Sequence, residues 1–297
     1  MRKFIVSVFM VPLLLLAVVS LVPTGTMAAS PQRVPHFFLK SVVHSSTASL
    51  KARAGNNLIY HGGPVMNGTA NVYAIYWEPT NNVQSGYNSL IQRYFGDVNR
   101  TGLYKNNTQY KQSNGQFPSA EHFVTSCVDN GAYPENPLLD SDIQNEVSHA
   151  QSVNGWSSSI DNIFFVFLQK NQDLCFDSSH TQCASNFFCA YHNFFGTDSI
   201  YAAMPYAASF SCNPGSSPNH NDADQTINVT SHEEMEAATD PLLNAWLDAS
   251  GNEIGDKCAW KFGARNSSGG DVTWNGHSYI LQKEWDNTRK GCVLTGP

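Results

Sequence analysis

Short apolar runs alternate with polar stretches along this chain, a pattern typical of a mixed α and β protein. Two runs are rich in β-branched and aromatic side chains, residues 72–77 and Asn162–Leu168, and are predicted to be buried strands. A further strand is predicted at residues 201–206, where Pro205 restricts it to a sheet edge or a strand end. A short strand is predicted at residues 278–282.

Helical spacing is present in other segments. Apolar residues recur three and four positions apart over Tyr87–Val98 and residues 140–153, which predicts two amphipathic helices. A third helix is predicted over residues 222–240, and the chain beyond it is predicted to be rich in loops. With no internal repeat, the pattern indicates a single α/β (α+β) domain with one mixed sheet over residues 58–297.

The N-terminus has the features of a secretory signal. Arg2 and Lys3 precede an apolar run over residues 4–22, and small residues then allow cleavage after Ala28. The alternative is a retained membrane anchor, since about 19 apolar residues are just enough to span a bilayer. Pro12 and the cleavage context favour a signal peptide over residues 1–28, and thus a secreted protein without stable membrane insertion after cleavage. Residues 29–57 are predicted to be a linker or pro-segment.

Charge and cysteine content narrow the classes of function. The net charge of −7 becomes about −9 once Arg2 and Lys3 are removed, which excludes a nucleic-acid partner because phosphate binding needs basic surfaces. Seven cysteines indicate an oxidising, extracellular compartment. Proximity in sequence suggests three disulfides and leaves Cys127 either free or exchanged into one of them. The suggested pairs are Cys175–Cys183, Cys189–Cys212 and Cys258–Cys292.

The strongest chemical motif lies in the third predicted helix. His232 and Glu236 are four positions apart, so on a helix they face the same way and offer an imidazole nitrogen and a carboxylate to one point. Both groups are zinc ligands. Glu233 follows the first ligand, at the position where H-E-x-x-H metallopeptidases have their general base. Here a glutamate replaces the second histidine, which makes a metal-bound water less acidic.

A third ligand is expected downstream of the helix. Asp256 is the preferred candidate and Glu253 the alternative, because both lie in a turn-like segment that can fold back to the helix. Asp240 precedes Pro241, which disfavours helical geometry at Asp240, so it fits a turn role better than a ligand role. His192 follows Cys189 closely, although a disulfide at Cys189 is favoured over a thiol–imidazole pair.

Several segments together resemble a known family. They are residues 231–246, residues 253–258, the Tyr60–Met66 segment, Cys189–His192 and residues 281–292. In these segments the chain is similar to bacterial secreted proteins related to the exordium or phosphate-induced protein family of plants. The resemblance implies a single exported or cell-wall-associated domain. Plant members are associated with extracellular growth signalling and often lack the His-Glu pair that this chain keeps.

Two functions are compatible with these features. The first is a secreted zinc-dependent hydrolase of peptidase type, with a zincin-like fold and an extracellular peptide or protein as substrate. The second is a non-catalytic extracellular binding or signalling protein. Four tryptophans late in the chain could contact cell-wall polysaccharide, although a core role for them is favoured; they are Trp246, Trp260, Trp274 and Trp285.

Overall fold

A six-stranded mixed sheet is the centre of the fold in the computed structural model, which describes residues 37–40 and 57–297. In chain order the strands are β1 Phe37–Leu39, β2 Ile59–Tyr60, β3 Gly68–Trp77, β4 Pro118–Asp129, β5 Leu138–Leu139, β6 Asn162–Leu168, β7 Leu174–Cys175, β8 Phe188–Phe195, β9 Ser199–Met204, β10 Trp246–Leu247, β11 Val272–Trp274, β12 His277–Tyr279, β13 Glu284–Asp286 and β14 Gly291–Val293. The α-helices are α1 Tyr87–Val98, α2 Gly102–Lys105, α3 Asp140–Asn154 and α4 Ala223–Thr239.

The main sheet has the order β1-β8-β9-β6-β3-β4. Strands β4, β3, β6 and β9 run parallel, β8 is antiparallel to β9, and β1 is antiparallel to β8. Every residue of β6 is buried, because helices cover both faces of the sheet at its centre. The other strands form two-stranded pairs outside this sheet.

Two hydrophobic clusters lie on the two faces of the sheet. On one face, Ile91 and Tyr94 of α1 and Ile227 and Met235 of α4 pack in the larger cluster. On the other face, α3 packs in the smaller cluster through residues such as Ile143. Helix α4 also contacts β8 and β9, so it runs beneath the β1 side of the sheet.

The helices and the central strands agree closely with the sequence pattern. The prediction for Tyr87–Val98 is confirmed, as are those for the other two helices to within one residue at each end. The strand expected at residues 201–206 occupies Ser199–Met204 and ends just before Pro205. The strand expected at residues 278–282 is instead a three-residue strand at His277–Tyr279. Strands β4 and β8 were not predicted.

The coarse fold class is also confirmed. The described residues form a mixed α and β structure with a six-stranded mixed sheet and short elements after α4. The three disulfides suggested by proximity are present, and Cys127 is a half-buried thiol. They are Cys175–Cys183, Cys189–Cys212 and Cys258–Cys292. Disulfides of this number are typical of an oxidising, extracellular-type environment.

The signal peptide predicted over residues 1–28 lies outside the described residues, as does most of the segment 29–57. Phe37–Leu39 of that segment form β1 and join the main sheet, which the polar pattern of the segment did not predict. Among the described helices, none has the length and apolar character needed to cross a membrane.

Candidate functional site

Helix α4 carries the His-Glu motif through the interior of the protein. All of its residues except Gln225 are buried, since the sheet lies on one side and the C-terminal loops on the other. The four-residue spacing places His232 Nε2 3.0 Å from Glu236 Oε1, as the helical geometry predicts. The helix ends before Pro241, where Asp240 Oδ1 accepts hydrogen bonds from the backbone N–H groups of Asn244 and Ala245.

His192 reaches the same carboxylates from strand β8. Its imidazole is fully buried. Its Nδ1 lies 3.5 Å from Glu233 Oε2 and 3.8 Å from Glu236 Oε2, and its Nε2 lies 3.7 Å from Glu253 Oε1. A neutral imidazole carries a proton on only one nitrogen, whereas both nitrogens here face carboxylate oxygens. Nε2 also lies 3.3 Å from the Asp240 carbonyl oxygen, which can only accept, so a neutral ring has its proton on Nε2 and its Nδ1 lone pair facing Glu233 and Glu236.

Glu253 enters the site from the loop after β10. It is fully buried, and neither of its carboxylate oxygens accepts a hydrogen bond from any part of the chain that the structure describes. Burial raises the pKa of Glu253 well above its usual value, and the nearby charges of Glu236, Asp240 and Asp256 raise it further. A buried carboxylate without hydrogen bonds needs a proton or a metal ion.

The Gln282 amide determines which nitrogen of His232 carries the proton. Gln282 Nε2 lies 2.7 Å from His232 Nδ1 and 3.1 Å from the Gly255 carbonyl oxygen, and Gln282 Oε1 accepts from the Trp260 backbone N–H. Since a carbonyl oxygen can only accept, the amide nitrogen points this way and donates to Nδ1. The neutral His232 ring then has its proton on Nε2, which lies 3.0 Å from Glu236 Oε1.

Aromatic rings enclose the site on the β1 side. The ring of Phe38 stacks on the imidazole of His232, with ring centres 4.1 Å apart and planes 7° from parallel. Trp260 stacks on the other side of Phe38 at 4.7 Å. Phe38 and His232 are both fully buried.

The structure thus brings together two sets of ligand atoms that share Glu236. One set is His232, Glu233 and Glu236, and the other is His192, Glu236 and Glu253; within each set the atoms lie within 4.8 Å of one another. A third set contains Cys175 and Cys183, but these sulfurs are joined in a disulfide and cannot act as thiolate ligands.

The residues predicted from sequence are placed as follows. His232, Glu233 and Glu236 come together as their helical spacing predicts. Asp256 belongs to neither set of ligand atoms in the described chain: its backbone N–H donates to Glu236 Oε1 at 3.0 Å, and its Oδ2 accepts from the Glu253 backbone N–H. Asp256 therefore orients the two glutamates.

His192 belongs to one of these sets of ligand atoms, and sequence reasoning did not place it in the site. Its signal in the sequence was its position in the segment Cys189–His192, one of the segments on which the family resemblance rests. The prediction of a disulfide at Cys189 is confirmed, so the His192 imidazole does not pair with a thiol there.

Comparison with models of protein families, with curated proteins and with solved structures finds no match to this chain.

Proposed function

We propose that this chain is a secreted metal-dependent hydrolase of zinc peptidase type. The observation that carries this proposal is the convergence of His192, Glu236 and Glu253 from three separate elements into one fully buried cluster. Export is supported by the N-terminal sequence and by the three disulfides.

The metal ligands we propose are His192, Glu236 and Glu253. This set is preferred to the one containing His232 because the Gln282 amide leaves the His232 lone pair on Nδ1, away from Glu236. It also keeps Glu233 out of the ligand set. Atoms bound to one zinc ion are about 3.3 Å apart, so ion binding draws the set together from its separations of up to 4.8 Å.

In this proposal each remaining residue has a defined role. When bound, a zinc ion lowers the pKa of a coordinated water and polarises a substrate carbonyl. Glu233, beside His192, accepts the proton of the attacking water and is the general base. His232, with Nε2 3.0 Å from Glu236 Oε1, keeps that ligand oriented, and Gln282 fixes the His232 tautomer.

Metal analysis of the purified protein tests the proposal. We expect about one zinc per chain in the wild type, and loss of that zinc in His192→Ala and in Glu253→Gln. His232→Ala should retain most of the metal, because His232 only positions Glu236. Glu234→Gln, which alters the same helix beside the motif, is the matched control. A wild-type chain that binds no stoichiometric divalent metal would overturn the proposal. Metal loss in His232→Ala, with metal retained in His192→Ala and Glu253→Gln, would show that His232 is the histidine ligand, as expected from the sequence.

The second candidate function is a non-catalytic extracellular binding protein with a structural metal. The complete burial of His192, His232 and Glu233 favours it, since a substrate has no direct path to the site. This alternative predicts that chelation lowers the melting temperature while the metal-loaded protein cleaves no peptide in a mixed library. Cleavage that depends on Glu233 would exclude it.

A further inference from the structure

Strand β1 lies on the outer edge of the sheet, directly over the candidate site. It pairs antiparallel with β8, with Phe37 opposite Tyr191 and Phe38 opposite Ala190. The Lys40 backbone N–H continues the pairing by donating to the Phe187 carbonyl at 3.1 Å. Without β1, the backbone groups of β8 would form an open sheet edge, which is a template for an added strand.

Specific pockets receive the side chains of β1 on both faces of the sheet. Phe37 enters an aromatic cluster formed by Phe176, Phe188 and Tyr191, with ring centres 5.2 to 5.4 Å away. Phe38 points to the opposite face, as alternation along a strand requires. There it lies between the rings of His232 and Trp260.

The segment is held by further polar contacts at its C-terminal end. Trp260 Nε1 donates to the Leu39 carbonyl at 2.8 Å, and Lys40 Nζ donates to the Phe210 carbonyl. The ammonium of Lys40 also lies over the Phe210 ring, 5.7 Å from its centre. Main-chain pairing together with pockets for alternate side chains is the way in which sheet edges recognise peptides.

We propose that the edge of β8 covered by β1 is a binding site for an extended peptide of the pattern aromatic-aromatic-x-basic, and that β1 is its intramolecular occupant. β1 is the weakly held neighbour of β8, because it has three residues of which only Phe38 is buried, whereas all six residues of β9 are buried. A peptide that displaces β1 would run over the His232 imidazole, whose Nε2 lies 3.0 Å from Glu236 Oε1.

This inference names the substrate class of the proposed hydrolase, but peptide binding itself does not depend on the metal. It is therefore tested in the presence of a chelator, by fluorescence anisotropy of a labelled peptide with the sequence VPHFFLKS, which is that of residues 34–41. The full chain with Phe38→Ala should bind this peptide at least tenfold more tightly than the wild-type chain, because its own strand competes less well.

A matched control peptide has alanine at the position of Phe38. It should bind Phe38→Ala at least tenfold more weakly than the parent peptide, and a peptide with alanine at the position of Lys40 should show a smaller loss. Equal affinity of the two chains for the parent peptide, or equal affinity of Phe38→Ala for the parent and the Phe38-position peptide, would overturn the proposal.

A second measurement uses the wild-type chain and so does not depend on the folding of a variant. Saturating peptide should speed hydrogen exchange of the β1 amides while leaving those of β9 unchanged, and unchanged exchange at β1 would refute displacement. Because these assays contain no metal, their failure would leave the zinc analysis intact, and the absence of zinc would leave peptide binding intact.

Discussion

Two buried acidic clusters lie on opposite sides of helix α4, and they differ in what faces the carboxylates. On one side Glu236 meets the imidazoles of His192 and His232. On the other side Glu234 accepts a hydrogen bond from the Tyr94 hydroxyl at 2.8 Å and lies near Glu121 of β4.

The electrostatics of the second cluster show the difference. Burial raises the pKa of Glu121 well above its usual value, and the charge of Glu234 raises it further. Burial likewise raises the pKa of Glu234, although the Tyr94 hydrogen bond lowers it. No imidazole is among the groups that shift either pKa, so this pair is stabilised by holding protons. Buried carboxylates alone therefore do not indicate a metal site, and the side of α4 with Glu236 differs in having imidazoles that face its carboxylates.

The largest expected effect is on peptide hydrolysis, and it should distinguish Glu233 from its neighbour Glu234 in helix α4. Glu233→Gln should lower peptide hydrolysis by about 10²- to 10⁴-fold while retaining zinc, because it removes a general base without removing a ligand. Glu234→Gln should change hydrolysis by less than about twofold. Steady-state rates with matched metal content measure both, and equal losses in the two variants would remove the distinction between the two clusters.

Removal of one disulfide tests how far the site depends on the C-terminal loops. Cys258–Cys292 closes the segment that carries Gln282, so replacing both cysteines by alanine should lower the free energy of unfolding by about 2–5 kcal/mol. Chemical denaturation measures this loss. The Cys175–Cys183 disulfide closes a shorter loop away from the site, so replacing its two cysteines by alanine should leave zinc affinity unchanged. Equal loss of zinc in the two variants would show that the effect is global unfolding.

Gly255 offers a steric test of the site. A Cβ atom there would lie 2.6 Å from His232 Nδ1 and 2.9 Å from Glu236 Oε1, so Gly255→Ala must displace these side chains. We expect a stability loss of about 1–3 kcal/mol together with weaker zinc binding. Gly96→Ala, where a Cβ would meet no atom within 4 Å, is the control. Unchanged zinc affinity in Gly255→Ala would show that the geometry of the site tolerates the shift.

The smallest expected effect concerns the buried pair Glu121 and Glu234, and it depends on pH. The pKa of Glu121 is raised by folding from its usual value of 4.5, so its stabilising contribution is complete below about pH 4.5 and is lost as the pH rises towards the folded value. Glu121→Gln keeps a neutral side chain at every pH. Its melting temperature should equal that of the wild type near pH 4.5 and exceed it by a few degrees at pH 8.5.

Calorimetry across this pH range measures the difference. Glu135→Gln, at an exposed position, is the control and should show no such trend. A melting-temperature difference for Glu121→Gln that stays constant with pH would contradict the raised pKa of Glu121.

Local patterns predicted much of the fold. The helices follow from apolar spacing, and β6 follows from a continuous apolar run that only a strand buried on both faces can hold. Strand β8 was missed because Cys189, His192 and Asn193 interrupt its apolar character. Strand β1 was missed because it is short and lies in a polar segment, and its strand state comes only from pairing with β8.

The candidate site, like the fold, was predictable only where it depends on local spacing. The pitch of one helix brings His232 and Glu236 together, so their proximity could be predicted from their separation of four residues. The disulfide pairs were readable because partners close in sequence meet most often. Asp256 was expected as a ligand because it lies in a turn-like segment that can fold back to the helix; in the structure its Oδ2 accepts a hydrogen bond from the Glu253 backbone N–H and its own N–H donates to Glu236 Oε1.

Helix α4, its His-Glu face and the disulfide pairs were predictable from the sequence, because each depends on residues near one another along the chain. That His192 and Glu253 join Glu236, and that Phe38 covers His232, follows from the folded structure alone. These contacts depend on strand order and loop paths, which arise from the packing of the whole sheet rather than from any local pattern.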